Sequence, residues 1–184
     1  MIKSNEVDRN QHATYSLHMQ RILIFLFYLL IIFICYPGLF LHFSNAVIRG
    51  EPGDLHNILS VISHSITTPL KQIYHLSIFY PESYVLTKTH PLFGISIFFY
   101  FFKLIGLSLT ESTNLYIILS LLFGAWGVFL LAGEFVQNKF FPLLFSTLYI
   151  LHPLNHLHFV WLNFLSRFYF AFIFLFLIKY FKTG

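Results

Sequence analysis

The sequence is short of charge, and shortest of acid. Only 10% of its 184 residues are Asp, Glu, Lys or Arg, against roughly a quarter in soluble domains. Such a chain cannot clothe a water-facing surface. Its 57% hydrophobic content and mean hydropathy of +0.73 read as an integral membrane protein. One cysteine, Cys35, excludes an internal disulfide and a cysteine-based metal site. Phe33-Ile34 before it lack the small residues of a lipoprotein cleavage site, so Cys35 reads as a small lipid- or helix-facing side chain. No Asn-x-Ser/Thr sequon occurs, which removes one sign of a secretory-pathway loop. The net charge of +4 is scattered, with no basic run interleaved with aromatics, and this argues against nucleic acid as a partner.

What is present is a series of apolar runs. The first, Ile22 to Phe43, is long enough to cross about 30 Å of hydrocarbon. It is too long for a signal peptide and has no small-residue cleavage site, so it reads as an uncleaved anchor. Lys3, Arg9 and Arg21 precede it, which favours a cytoplasmic 1–21 segment. Four further stretches follow: Pro91–Leu109, Leu115–Gly133, Phe140–Leu151 (extendable over 138–152) and Phe159–Ile178. If all of them span, Lys139, Lys179 and Lys182 join Arg49, Lys71 and Lys88 outside. If 91–109 lies in the interface or re-enters, those three lysines move inside with Lys3, Arg9 and Arg21. The positive-inside rule prefers the second arrangement. Lys103 agrees, because an ammonium at mid-membrane costs about 2.5–3.5 kcal/mol on insertion scales. The expected fold is therefore all-α: a polytopic membrane bundle of four spans (alternatively five), about 22–43, 115–133, 138–152 and 159–178, with both termini inside. Its weakest span is 140–151, which is short and contains Pro142, tolerable in a first helical turn.

Of the seven acidic residues, Glu6, Asp8 and Glu134 then lie inside, leaving Glu51, Asp54, Glu82 and Glu111 for any chemistry outside. The outer loop 44–114 holds an amphipathic stretch over 54–68. Leu55, Ile58, Leu59, Ile62 and Ile66 recur at helical spacing, with His56, Ser60, Ser63 and Thr67 opposite. This predicts a helix along the membrane surface, with Asp54 as its N-cap and Pro69 as its stop. Two readings of Asp54 stand together. A capping carboxylate is worth about 1 kcal/mol; a general base needs the same rigid placement near the headgroup plane.

His152, His156 and His158 fall within seven residues of the next outer turn. Three imidazoles suggest a metal, but no local carboxylate or cysteine completes the set, so a divalent metal has no clear site. A polar loop facing phosphate or sugar and an ordinary interfacial turn with Trp161 are the other readings. Arg167 falls inside the last apolar run, with Asn163 and Ser166 nearby. It could hold a phosphate bidentately, contact another helix, or snorkel outward. Gly124, Gly127 and Gly133 are small residues suited to close helix packing.

Taken together, three stretches resemble the N-terminal part of bacterial multi-pass glycosyltransferases of the GT-C type. Gly53-Asp54-Leu55-His56-Asn57 is similar to the Gly-Asp opening of that family's first outer loop. Phe79-Tyr80-Pro81 with Leu86 and Thr89-His90-Pro91-Leu92-Phe93-Gly94 resembles its Tyr-Pro and (Asp/Glu/Thr)-His-x-Leu-x-Gly elements. His156-Leu157-His158-Phe159 with Trp161 is similar to its His-Leu-Gln-Leu…Trp stretch. The resemblance implies transfer of a sugar from a polyprenyl-phosphate donor at the outer face of the bacterial inner membrane. It assigns the catalytic carboxylate to Asp54 and puts His90, His156 and His158 on the substrate side; Arg167 joins them by its charge alone, on no family motif. The implied partners are membrane lipid, the lipid-phosphate sugar donor, and either the rest of a larger bundle or a partner membrane protein. Such enzymes have about a dozen spans, so the chain reads as a truncated frame or the front piece of a split protein, inactive by itself. A noncatalytic subunit or carrier packing through Gly124, Gly127 and Arg167, and a nonfunctional remnant, are the rival expectations.

Overall fold

The computed structural model describes residues 2–47, 52–68, 93–153, 155, 162–165 and 167–183. These residues are helical throughout their regular segments, with no strand among them. In chain order the helices are α1 (Ile2–Cys35), α2 (Gly38–Leu41), α3 (Pro52–Thr67), α4 (Phe93–Leu104), α5 (Leu109–Gly133), α6 (Phe140–Leu151), α7 (Leu162–Leu165) and α8 (Phe168–Thr183). The all-α expectation agrees with this. Among the described residues one helix, α5, is long and apolar enough to cross a membrane, at 25 residues or about 37 Å.

Helix boundaries follow from local chemistry. The first apolar run, expected to be continuous over 22–43, is divided: α1 stops at Cys35, and Pro37 opens the short α2. Proline has no N–H to give and disfavours helical backbone in the residue before it. Pro153 follows the end of α6 in the same way, with His152 extended (φ −61°, ψ 126°). Between α4 and α5, Gly106 takes φ +87°, a left-handed conformation costly for a residue with a Cβ. Its N–H donates to Lys103 O (3.0 Å) and the Leu107 N–H to Phe102 O (3.0 Å), the paired bonds of a Schellman ending. Two residues later Ser108 and Glu111 form a reciprocal capping box, so α5 begins at Leu109, six residues before the expected start of that span. α3 likewise begins at Pro52, whose fixed φ suits a first helical position. Asp54 is thus the third residue of α3 and not its N-cap, a correction to the sequence reading.

α5 is the axis of the bundle. It packs most extensively on α6 and α8, and also on α1 and α4, while α3 packs on α4. The interior combines Tyr28 and Ile32 of α1, Tyr116, Ile117, Leu121 and Ala125 of α5, and Phe99 of α4. Polar ties pin the helices together inside it. The Tyr28 and Ser146 hydroxyls bond each other between α1 and α6, and Tyr36 Oη donates to Ile150 O (2.9 Å). Asn114 Nδ2 donates to Phe43 O and Ala46 O, both 2.8 Å, fastening the chain after α2 onto α5. Large apolar side chains instead face outward along α1 and α8, among them Ile22, Leu26, Leu30, Phe170, Ile173 and Phe174.

Two of the anticipated packing glycines are filled by this chain's own helices. Gly124 lies under the Tyr149 ring of α6. A Cβ at Gly127 would stand 2.9 Å from Ala171 Cβ and 3.1 Å from the Phe172 ring of α8. Neither glycine is open to a partner, so of the three residues named for the subunit reading only Arg167 is left to it. Gly127→Leu is expected to push α5 and α8 apart and to destabilise the bundle by roughly 1–3 kcal/mol. Gly133→Ala, whose Cβ would meet nothing within 4 Å, is the control without that loss. An unfolding titration in mixed detergent micelles reads the difference.

The bundle has two chemically distinct ends. At one, Lys139 Nζ donates to Gln20 Oε1 (2.9 Å), while Lys182 (2.9 Å) and Lys179 (3.8 Å) approach Glu134. The hydrogen bond and charge of Lys182 hold the Glu134 carboxyl below its ordinary value of 4.5. A lowered folded pKa adds stability that is complete above 4.5 and is lost as pH falls through the folded value. Acidification from pH 7 to pH 3 is therefore expected to lower the amide protection factors (rates relative to intrinsic exchange at the same pH) in the last turn of α8 but not in mid-α5. Glu134→Gln should reproduce that change at pH 7, and the effect is small because the pair is solvent-exposed.

Candidate functional site

The other end gathers a second set of polar side chains. There the start of α5, the ends of α1, α4 and α6, and the turn before α8 converge. Arg167 occupies that turn between α7 and α8, and its carbonyl accepts from the Phe170 N–H (3.0 Å). This corrects the expectation of an arginine within a continuous span over 159–178: the helix is interrupted at the arginine. The guanidinium lies 5.7 Å from the Tyr149 ring centroid, a cation–π distance. One of its terminal nitrogens donates to Asn155 Oδ1.

Asn155 is fully buried and links three groups. Its amide nitrogen donates to Tyr149 O (2.5 Å) and Ile150 O (3.1 Å), carbonyls that the last turn of α6 leaves without helical partners. Its oxygen is then fixed as the acceptor for Arg167. The arginine therefore makes the helix contact weighed as one of its sequence readings. Its Nε is buried and has no hydrogen-bond partner among the described residues. The Nε–H thus remains for an acceptor such as a phosphate oxygen, beside the terminal nitrogen that Asn155 holds.

Glu111, one of the carboxylates available for outer chemistry, is already committed. Its Oε2 accepts from the Ser108 N–H (2.8 Å) and its Oε1 from the Ser44 hydroxyl (2.7 Å). It joins the chain after α2 to the cap of α5, which leaves it poorly placed to take a proton from a substrate.

A cavity of about 200 Å³ opens beside this cap, between the C-terminal half of α3, the end of α4 and the start of α5. Ser63 and Thr67 of α3 line it, so part of the polar face expected for that helix does meet a cavity. Lys103, Ser112, Ile66, Leu107 and Leu109 complete the lining.

The remaining sequence candidates divide simply. Asp54 lies on the first turn of α3, and its side chain is outside the described part of the molecule. His90, His156 and His158 lie outside the described residues, while His152 is exposed at the end of α6. Among the described residues, no group of three or more His, Cys, Asp or Glu side chains converges as metal ligands would. Sequence reasoning missed Asn155 and Tyr149, the two residues that hold Arg167. The local signal for Asn155 was its place just after a proline-terminated helix, where a side-chain amide can meet orphan carbonyls. No family model, curated protein or solved structure matches the chain.

Proposed function

We propose that this chain is the N-terminal, membrane-embedded part of a GT-C-like glycosyltransferase that takes a sugar from a lipid-phosphate donor at the outer face of the membrane. The observation that carries the reading is the segregation of chemistry along the bundle. Arg167, Asn155, the Glu111 cap and the Lys103 cavity gather at one end, whereas Lys139, Lys179 and Lys182 gather at the other. A polytopic bundle with α1, α5, α6 and α8 as its four spans accounts for this. Each helix runs opposite to the one before, and the lysine-rich end is cytoplasmic by the positive-inside rule.

In this reading α3 belongs to the first outer loop and carries Asp54 in its opening turn. The carboxylate takes a proton from the acceptor hydroxyl as that oxygen attacks the sugar's anomeric carbon and the bond to the lipid phosphate breaks. Positive charge, including Arg167 through its spare Nε–H, stabilises the departing phosphate. By the resemblance, His90, His156 and His158 would contact the substrate.

Membranes holding the chain together with the rest of its bundle test this reading. Labelled sugar is expected to pass from a polyprenyl phosphate to acceptor only when the chain is present, and absence of transfer sinks the proposal. Topology has its own test. A fluorescent-protein reporter after Gly184 should fold and glow in the cytoplasm, and a phosphatase there should stay inactive; the opposite pattern removes the four-span arrangement.

A further inference from the structure

We propose that the cavity between α3, α4 and the start of α5 binds the phosphodiester headgroup of an anionic phospholipid, with Lys103, Ser63 and Ser112 as its donors. The inference stands apart from glycosyl transfer, since it uses neither Asp54 nor Arg167.

Lys103 supplies the charge. It lies in the last turn of α4, where the helix dipole favours a cation, and it has no acidic partner among the described residues. The lysines of the opposite end are already engaged: Lys179 and Lys182 share Glu134, and Lys139 donates to the neutral Gln20 amide. The hydroxyls supply direction. Thr67 already donates to Ser63 O (2.7 Å) and can only accept. The Ser63 and Ser112 hydroxyls have no protein partner among the described residues and project from two different helices lining the same cavity. An ammonium with two free hydroxyl donors suits an acceptor bearing several oxygens and one negative charge. Phosphate diesters meet that description.

The rest of the lining indicates what the phosphate is attached to. Ile66, Leu107 and Leu109 form the apolar wall. A freely dissolved anion gains nothing from that wall, whereas a glycerol backbone with the start of its acyl chains would cover it. A choline headgroup would bring a second cation beside Lys103; a glycerol headgroup would not. The site is thereby matched to an anionic phospholipid in preference to a zwitterionic one.

The test is lipid binding by the full chain purified in neutral detergent, counted by native mass spectrometry and by the shift in unfolding temperature. Phosphatidylglycerol is expected to bind about tenfold more tightly than phosphatidylcholine of the same chains. Lys103→Gln should abolish that preference. Lys103→Arg should keep it, which separates loss of charge from loss of fold, and Lys182→Gln at the opposite end should also keep it. Replacing Ser63 and Ser112 together by Ala should weaken phosphatidylglycerol binding several-fold with helicity unchanged. The proposal is overturned if Lys103→Gln retains the preference or if both lipids bind alike. It is equally overturned if inorganic phosphate at millimolar concentration stabilises the protein as well as phosphatidylglycerol does, for the cavity would then be a free-anion site.

Discussion

In a complete transfer system, Asp54→Asn is expected to lower sugar transfer about 10²–10⁴-fold, the range a positioned general base contributes. The chain should stay folded. Asp54 is the third residue of α3, so its structural role is that of an acid in a first helical turn. Interaction with the helix dipole is worth about 0.3–1 kcal/mol there, and Asn gives up only that. The two readings of Asp54 thus differ by orders of magnitude in the assay and hardly at all in stability. Transfer rates measured beside unfolding curves separate them. Activity within threefold of the parent would leave Asp54 as a helix-opening residue and nothing more.

Asn155→Leu should produce the largest loss of stability. It removes the donor for Tyr149 O and Ile150 O and the acceptor for Arg167 in one step, within a fully buried site. Leaving a charged donor and the Tyr149 carbonyl unsatisfied, while Ile150 O keeps only the Tyr36 hydroxyl, costs roughly 3 kcal/mol, even though Leu fills the volume. Asn155→Asp is the informative companion. It keeps an acceptor for Arg167 and loses both donors, so its cost isolates the capping of α6. The same unfolding titration used for Gly127→Leu reads both variants. A neutral Asn155→Leu would mean that the arginine is held by Tyr149 alone.

Much of the helical layout was legible because it rests on local rules. The periodicity of Ile58, Leu59, Ile62 and Ile66 marked α3, and the small residues Gly124 and Gly127 marked a close crossing of helices. Boundaries were less legible. Pro37 divides what hydropathy alone reads as one run, and the Ser108–Glu111 box extends α5 beyond its apolar segment. Both signals are present in the sequence, but a hydropathy window averages over them. The Arg167–Asn155–Tyr149 cluster was not legible. Its members are joined by the way α6 ends and α8 begins, and no spacing rule encodes that meeting. The cavity around Lys103 is similar: its hydroxyls come from α3 and α5, and only their packing makes them neighbours.

In the proposed four-span arrangement, the unequal helix lengths have a consequence for the surrounding lipid. α6 is 12 residues long, about 18 Å, and runs beside α5 at about 37 Å. In a bilayer with about 30 Å of hydrocarbon, the two impose opposite mismatch, α5 by excess and α6 by shortfall. Tilt absorbs the first. The second would be relieved by drawing the leaflets together along the α6 flank, leaving a local dimple in the membrane. A protein so shaped should partition toward thin, short-chain bilayers. Reconstitution into phospholipids of increasing acyl length would reveal it as a falling fraction of correctly inserted protein.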